Sequence, residues 1–152
     1  MWDGPPPGIV RVVTDYDLER FVGAQDSGGT YRAAVRELRA GRKRSHWMWF
    51  VFPQIAGLGH SPMSQRYAIS SLDEARAYLA HPVLGPRLAE CAAIVAGLRD
   101  RTAEQVLGPV DALKLRSSMT LFRHADPAQP VFGQVLGQFF GGIADPATEE
   151  RL

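Results

Sequence analysis

The sequence predicts an all-α fold, a compact single domain of about seven helices. Apolar residues recur at helical spacing in seven separate segments, and most of these segments are bounded by residues that cap or end helices. Only residues 9–13 and 49–52 have the composition of β-strands. Helices joined by short connections are typical of a multihelical domain.

The chain divides into a short arm and one helical domain. Residues 1–13 are rich in proline and glycine, and three successive prolines favour extended polyproline geometry, so we expect a flexible N-terminal arm. Residues 14–152 form the predicted domain, whose first helix is capped by Thr14 or Asp15. Six helices follow: from Thr30 to Gly41, from the Ser71 capping box to His81-Pro82, from Pro82 or Pro86 to Leu98, from Thr102 to Gly108, from a cap at Asp111 through Phe122, and from Pro130 to Gly141.

Composition limits the possible function classes. The net charge of +1 provides no overall field that would attract nucleic acid or a membrane. The single Cys91 excludes an internal disulfide and fits a reducing compartment. The N-terminus lacks signal-peptide features, and no apolar run reaches the ~20 residues that a membrane span needs. We therefore expect a cytoplasmic monomer or small homo-oligomer with no membrane partner.

Several site types are disfavoured by the same sequence. Gly57-Leu58-Gly59 lacks the third glycine and the βαβ context of a dinucleotide fingerprint. No two of the four histidines are spaced i, i+4 on one helix, so we predict neither a metal site nor a bound cofactor. Cys91 lies on an apolar helix face, which favours a buried, unreactive thiol.

Residues 42–61 hold the most unusual chemistry in the chain. Arg42, Lys43 and Arg44 precede an aromatic run, Trp47-Met48-Trp49-Phe50-Val51-Phe52, and the segment ends with Gly57, Gly59 and Ser61. The basic run can simply offset a helix dipole, and the aromatic run can be core. Alternatively, the cations contact a phosphate, Trp47 or Trp49 stacks on a base, and the glycine amides face the ligand.

A second unusual segment follows Asp111. If Leu115 and Met119 face the core, Lys114, Ser117 and Ser118 form the neighbouring stripe. Adjacent serines are poor helix formers because they compete for backbone hydrogen bonds. They indicate either close helix packing or polar contacts to a ligand, and the sequence does not decide between the two.

Four long, unusual strings occur in the sequence: RFVGAQ (20–25), ELRAGRKRSHWMWFVFPQIAGLGHSPMSQRYAI (37–69), DEARAYLAHPVLGPRL (73–88) and DALKLRSSMTLF (111–122). These strings resemble a bacterial family of unknown function whose members often carry the label calpastatin. The resemblance covers residues 15–152 and implies a small, mostly helical cytoplasmic domain. The label implies a protease inhibitor, but such inhibitors are disordered chains of low complexity, whereas this composition is globular.

A second resemblance rests on the order of Phe50, Phe52-Pro53, Gly57, Ser61 and Tyr67, then Leu107-Gly108, Met119 and Phe122. In this order the sequence resembles NADAR-type domains, helical proteins linked to ADP-ribose and its N-glycosides. Those domains carry a Glu-His pair soon after the serine, with the glutamate implicated in catalysis. This chain has Pro62-Met63-Ser64-Gln65-Arg66 there, so the resemblance implies ligand binding with the acid/base group lost or moved.

The sequence therefore predicts a site between the aromatic–glycine segment and the helix after Asp111. The expected ligand is a phosphate-bearing nucleotide derivative such as ADP-ribose, and Asp111 and Glu74 are the carboxylates to test for catalysis. Single-stranded nucleic-acid binding and a non-enzymatic interaction or oligomerisation module are the alternatives. The candidate ligand-binding residues are Arg42, Lys43, Arg44, Trp47, Trp49, Gly57, Gly59, Ser61, Lys114, Ser117 and Ser118.

Overall fold

The structure, a computed structural model, describes residues 16–152. The predicted arm, the strand-like residues 9–13 and the proposed caps Thr14 and Asp15 lie outside this part. The helices are α1 (Glu19–Asp26), α2 (Thr30–Arg39), α3 (Met48–Val51), α4 (Pro62–Arg66), α5 (Leu72–Ala80), α6 (Leu84–Ala96), α7 (Ala103–Leu107), α8 (Pro109–Ala125), α9 (Pro130–Phe140) and α10 (Pro146–Glu149), and a 3-10 turn, Ser27–Gly29, joins α1 to α2.

The all-α prediction is confirmed. All seven expected helices are present, and three short helices, α3, α4 and α10, add to them. Two boundaries differ from the prediction: α1 begins at Glu19, later than a cap at Thr14 or Asp15 would place it, and α8 begins at Pro109. Asp111 therefore lies in the first turn of α8, where its charge favours the helix dipole, and is not the cap.

Helix α8 occupies the centre of the fold. It contacts α5, α7, α9 and α10, and every residue from 117 to 122 is buried. A helix that is buried on all sides over two turns must be surrounded by other elements. The N-terminal part of α8 is less enclosed, since Val110 and Leu113 are exposed there. Within residues 16–152 no helix is long and apolar enough to cross a membrane.

A continuous line of aromatic rings crosses the core. Ring centres lie 5.3 Å apart for Phe50 and Tyr67, 5.8 Å for Tyr67 and Phe21, and 5.1 Å for Phe21 and Tyr78. The line continues through Phe122 to Phe132 at 5.3 and 5.9 Å. Such pairs add about 0.5–1.5 kcal/mol each beyond their burial. The aromatic pairs in this line therefore connect α3, α1, α5, α8 and α9.

Gly85 allows α5 and α6 to approach closely. A Cβ atom on Gly85 would lie 2.1 Å from the backbone carbonyl oxygen of Leu79, the next-to-last residue of α5. Backbone atoms cannot move aside as a flexible side chain can. The turn at His81 depends on this approach, because the His81 ring accepts hydrogen bonds from the amides of Val83 and Leu84.

Gly85→Ala is expected to lower the free energy of unfolding by about 2–3 kcal/mol, because the added methyl group forces α5 and α6 apart. Urea denaturation measures the loss. Gly137→Ala is the matched control: Gly137 is in α9, exposed, with nothing within 4 Å of the added Cβ. That change should raise stability by about 0.5–1 kcal/mol. Equal effects at the two glycines would refute the account of this helix crossing.

Candidate functional site

The glycine-containing segment is a loop closed at its base. Ile55 and Ile69 form an isolated parallel bridge, in which the Ala56 amide donates to the Ile69 carbonyl and the Ile69 amide donates to the Gln54 carbonyl, each at 2.8 Å. The loop includes α4, whose N-terminus is capped by Ser61 through the Ser64 amide at 3.1 Å. Both ends of the loop are thereby fixed against the core.

Trp49 lies between this loop and α8. It is half-buried, unlike its neighbours Met48 and Phe50, and it lines a cavity of about 10 Å³ together with Gly57, Gly59 and other loop residues. That volume holds roughly one water molecule. On the α8 side, the Lys114 ammonium lies 5.2 Å from the centre of the Trp49 ring, a cation–π contact.

Asp111 pairs with Lys43, from a distant part of the chain, and with Lys114, three residues further along the same helix. Lys43 Nζ lies 3.0 Å from its Oδ2, and Lys114 Nζ lies 3.6 Å from its Oδ1. The three side chains are largely buried, with 11%, 21% and 18% of the Lys43, Lys114 and Asp111 side-chain surfaces exposed. Lys43 also lies 5.2 Å from the centre of the Trp47 ring. Two cations thus share one carboxylate, beside two tryptophans.

Lys43 and Lys114 are the only lysines in the sequence, which has fifteen arginines. Both lie in the same cluster although they are far apart along the chain. Arginine can pair with a carboxylate through two hydrogen bonds at once, which lysine cannot do. If positions 43 and 114 served only to form ion pairs, arginine would be expected there, as at the other fifteen cationic positions. The lysine positions are a signal in the sequence that motif analysis did not use.

Glu37 fixes the loop that carries Lys43. Its carboxylate accepts hydrogen bonds from the amides of Arg44 and Ser45, the Ser45 hydroxyl and the Trp47 indole N–H. Burial alone would raise the pKa of this carboxyl. Hydrogen bonds outweigh burial and hold the pKa at about 2; in order of effect they come from the Ser45 hydroxyl, the Arg44 amide, the Trp47 indole and the Ser45 amide. No sequence motif marks Glu37, which our motif analysis missed.

Two further contacts hold the same loop. Gly41 ends α2 with φ of 75°, as expected for a left-handed terminator, and a Cβ there would lie 2.7 Å from Arg101 Nε. The Lys43 amide donates to the Val106 carbonyl at 2.7 Å, which joins the loop to α7. The loop therefore holds Lys43 inward at Asp111 while Arg42 and Arg44 are exposed.

The structure brings four of the predicted site residues together: Lys43, Trp49, Asp111 and Lys114. Trp47 is fully buried, so it is part of the core. Residues 47, 48 and 50–52 are all buried, and the aromatic run is core except for Trp49.

The glycine loop has local structural roles as well. A Cβ on Gly59 would lie 2.6 Å from Ser64 Oγ, and one on Gly57 would lie 2.7 Å from Arg151 Nε. Ser61 is a helix cap. In the part of the chain that the structure describes, the amides of Gly57 and Gly59 donate no hydrogen bond to another backbone carbonyl.

Three other predicted site residues do not join this cluster. Ser117 and Glu74 form hydrogen bonds elsewhere, and Ser118 is enclosed in the core. The Ser117 hydroxyl donates to Asp145 at 2.9 Å, which joins α8 to α10. Ser118 is fully buried, and its hydroxyl has no partner among residues 16–152. Glu74 is 2% exposed and binds Ser70 and Arg20, not the lysine cluster.

The other candidate reactive side chains are a buried cysteine and two histidines that pair with glutamates. Cys91 is fully buried, and burial raises the pKa of its thiol to about 12, as expected of an unreactive cysteine. His81 and His124 pair with Glu19 and Glu149 at the surface. Over residues 16–152, no three His, Cys, Asp or Glu side chains gather closely enough to hold a metal ion.

Glu37→Gln is expected to lower the free energy of unfolding by about 2 kcal/mol near neutral pH, because the charged hydrogen bonds are lost. The folded-state pKa of about 2 lies below the ordinary 4.5, so the carboxylate stabilises the fold above pH 4.5 and loses this effect as pH falls toward 2. The gap between wild type and variant should therefore narrow from pH 6 to pH 3 in urea titrations. Asp73→Asn, at a carboxylate 77% exposed, is the control. A constant gap would contradict the assignment.

Comparisons with known proteins place the fold in a family. The structure superposes on the crystal structure of the conserved hypothetical protein Rv1873 from Mycobacterium tuberculosis with a TM-score of 0.87 and 55% sequence identity, covering 90% of this chain and 96% of that one. A search of curated proteins gave no match. The sequence profile described as "Protein of unknown function (DUF1810)" matches residues 15–152. The chain therefore belongs to the DUF1810 family.

Proposed function

We propose that the surface formed by Lys43, Trp49, Asp111 and Lys114, called here the lysine–tryptophan surface, binds a phosphate-bearing nucleotide derivative such as ADP-ribose. The observation that carries this proposal is the sharing of Asp111 by two lysines beside a half-buried tryptophan. Among residues 16–152, Asp111 is the one carboxylate that pairs with the two ammonium groups, so one positive charge stays uncompensated at a largely buried position. A phosphate group is the natural counter-charge for such a cluster.

Exposed cations flank the same surface. Arg42 and Arg44 follow α2 on the loop that carries Lys43, and within residues 16–152 neither side chain forms an ion pair. Nucleotide derivatives with two linked phosphates need more than one cation. Arg42 and Arg44 can supply contacts at the edge, where salt screens them more than it screens the enclosed lysines.

Trp49 supplies a flat, partly exposed ring for a base or a sugar. The adjacent cavity of about 10 Å³ is too small for a nucleotide, so the ligand lies on the surface and does not enter the core. The amides of Gly57 and Gly59 border this surface and can donate to phosphate or hydroxyl oxygens.

The resemblance to NADAR-type domains supports the same ligand class. The residues that carry it include Phe50 and Tyr67, whose rings are in contact at 5.3 Å. Where those domains have a Glu-His pair, this chain has α4 and its cap. If the protein catalyses a reaction, Asp111 is the carboxylate in place to serve, since Glu74 is enclosed elsewhere. We propose a cytoplasmic location, because a single cysteine fits a reducing compartment.

Isothermal titration calorimetry with ADP-ribose tests the proposal. Lys114→Ala should weaken binding at least about tenfold, the effect of losing roughly 1.4 kcal/mol of contact with the ligand. Arg123→Ala is the matched control, because it removes one exposed cation from the same helix, α8, away from Asp111.

Two results would contradict the proposal: no binding by the wild-type chain at millimolar ADP-ribose, or equal weakening in both variants. A short single-stranded oligonucleotide is titrated in parallel. Tighter binding of the oligonucleotide, with affinity falling steeply as salt rises, would support the nucleic-acid alternative instead.

A further inference from the structure

We infer that Lys114 is a nucleophilic amine that condenses with the aldehyde of an open-chain sugar phosphate, with Asp111 as the acid–base group. The inference rests on the proposed function, because the phosphate contacts are what would place the sugar beside Lys114. It goes further by assigning a covalent step and a role to each member of the cluster.

The choice of lysine at these positions is the first observation. Fifteen cationic positions are arginine, and the two lysines both bind Asp111. A guanidinium stays protonated and is not a nucleophile in proteins, whereas a lysine amine can lose its proton and attack a carbonyl carbon. Lysine therefore offers a reaction at Asp111 that arginine does not.

The two lysines are not equivalent. Lys43 lies 3.0 Å from Asp111 and is 11% exposed, and its own amide is bound to Val106. Lys114 lies 3.6 Å from Asp111 and is 21% exposed, next to the half-buried Trp49. Lys43 is therefore the fixed counter-ion, and Lys114 is the amine with the looser pairing and the better access to a ligand.

The charge balance of the cluster is consistent with these roles. With both amines protonated, two cations face one carboxylate. Asp111 accepts a proton from Lys114 only as the nitrogen attacks the aldehyde, and Lys43 then remains as the cation beside it. An amine next to another cationic group is a recurring arrangement for imine-forming lysines.

The reaction balances without an oxidant or a reductant. Asp111 takes a proton from the Lys114 ammonium as the nitrogen attacks the aldehyde carbon, and a C–N bond forms. Asp111 returns that proton to the carbonyl oxygen, and the nitrogen then loses its second proton to Asp111, which gives a carbinolamine. Asp111 passes this proton to the departing hydroxyl group, so water leaves and a protonated imine remains beside the carboxylate. One lysine ammonium and one aldehyde thus yield one protonated imine and one water.

Reductive trapping tests this step. The full chain is incubated with ADP-ribose and sodium cyanoborohydride, which converts an imine to a stable secondary amine, and peptides are mapped by mass spectrometry. The chain holds three primary amines, those of Lys43, Lys114 and the N-terminus, so the adduct can be assigned. We expect Lys114 to be labelled at least about tenfold faster than the other two amines, through its positioning beside the bound sugar.

Variants separate a specific reaction from general glycation. Lys114→Arg keeps the positive charge but should abolish the fast adduct while ADP-ribose still binds by calorimetry. Arg123→Ala should label as the wild type does, and ribose without phosphate should label all three amines slowly. Asp111→Asn should slow trapping at Lys114 relative to the N-terminal amine.

The outcomes distinguish this inference from the proposed function. Binding of ADP-ribose without fast labelling of Lys114 would overturn the imine step and leave the binding proposal standing. Fast labelling at Lys43 or only at the N-terminus would also overturn it. Absence of both binding and labelling would overturn the two together.

Discussion

The carboxylate of Glu37 is the contact on which the rest of the site depends. Four hydrogen bonds from residues 44–47 converge on it, hold its pKa at about 2 and tie the loop after α2 to that helix. That conformation seats Trp47 in the core and leads into α3, where Trp49 reaches the surface. It also holds Lys43 at Asp111. An unpaired carboxylate in this position would cost stability, and four donors make it an anchor.

Helix α8 contributes the other half of the candidate site and passes through the centre of the core. Its middle, residues 117–122, is buried on all sides, and its first turns present Asp111 and Lys114 to the loop. Because α8 contacts α5, α7, α9 and α10, it cannot move without disrupting the core. The lysine–tryptophan surface is therefore built on a rigid helix and a loop held by charged hydrogen bonds. Such a support would hold the cations in place for the phosphate group that we propose as part of the ligand.

Local patterns in the sequence predict the helices well but predict the site only in part. Apolar spacing and caps such as Thr102 with Gln105 depend on neighbouring residues, and the structure contains both bonds of that capping box. The unusual composition of the aromatic segment and of the helix after Asp111 predicted that the two lie together, and the structure has a contact between them, from Lys114 to Trp49. The pairing of Lys43 with Asp111 and the role of Glu37 depend on long-range packing, which no local pattern encodes. The aromatic run was ambiguous because burial of one tryptophan and exposure of the next is decided by tertiary contacts.

The most direct test follows the indole N–H signals by NMR during titration with ADP-ribose. The chain has three tryptophans, and Trp49→Phe and Trp47→Phe variants assign their signals. Binding at the lysine–tryptophan surface predicts a saturable shift of the Trp49 indole, while the Trp47 indole, which donates to Glu37 at 3.0 Å, stays in place. Saturable binding that leaves the Trp49 signal unchanged would contradict the assignment of this surface as the ligand site.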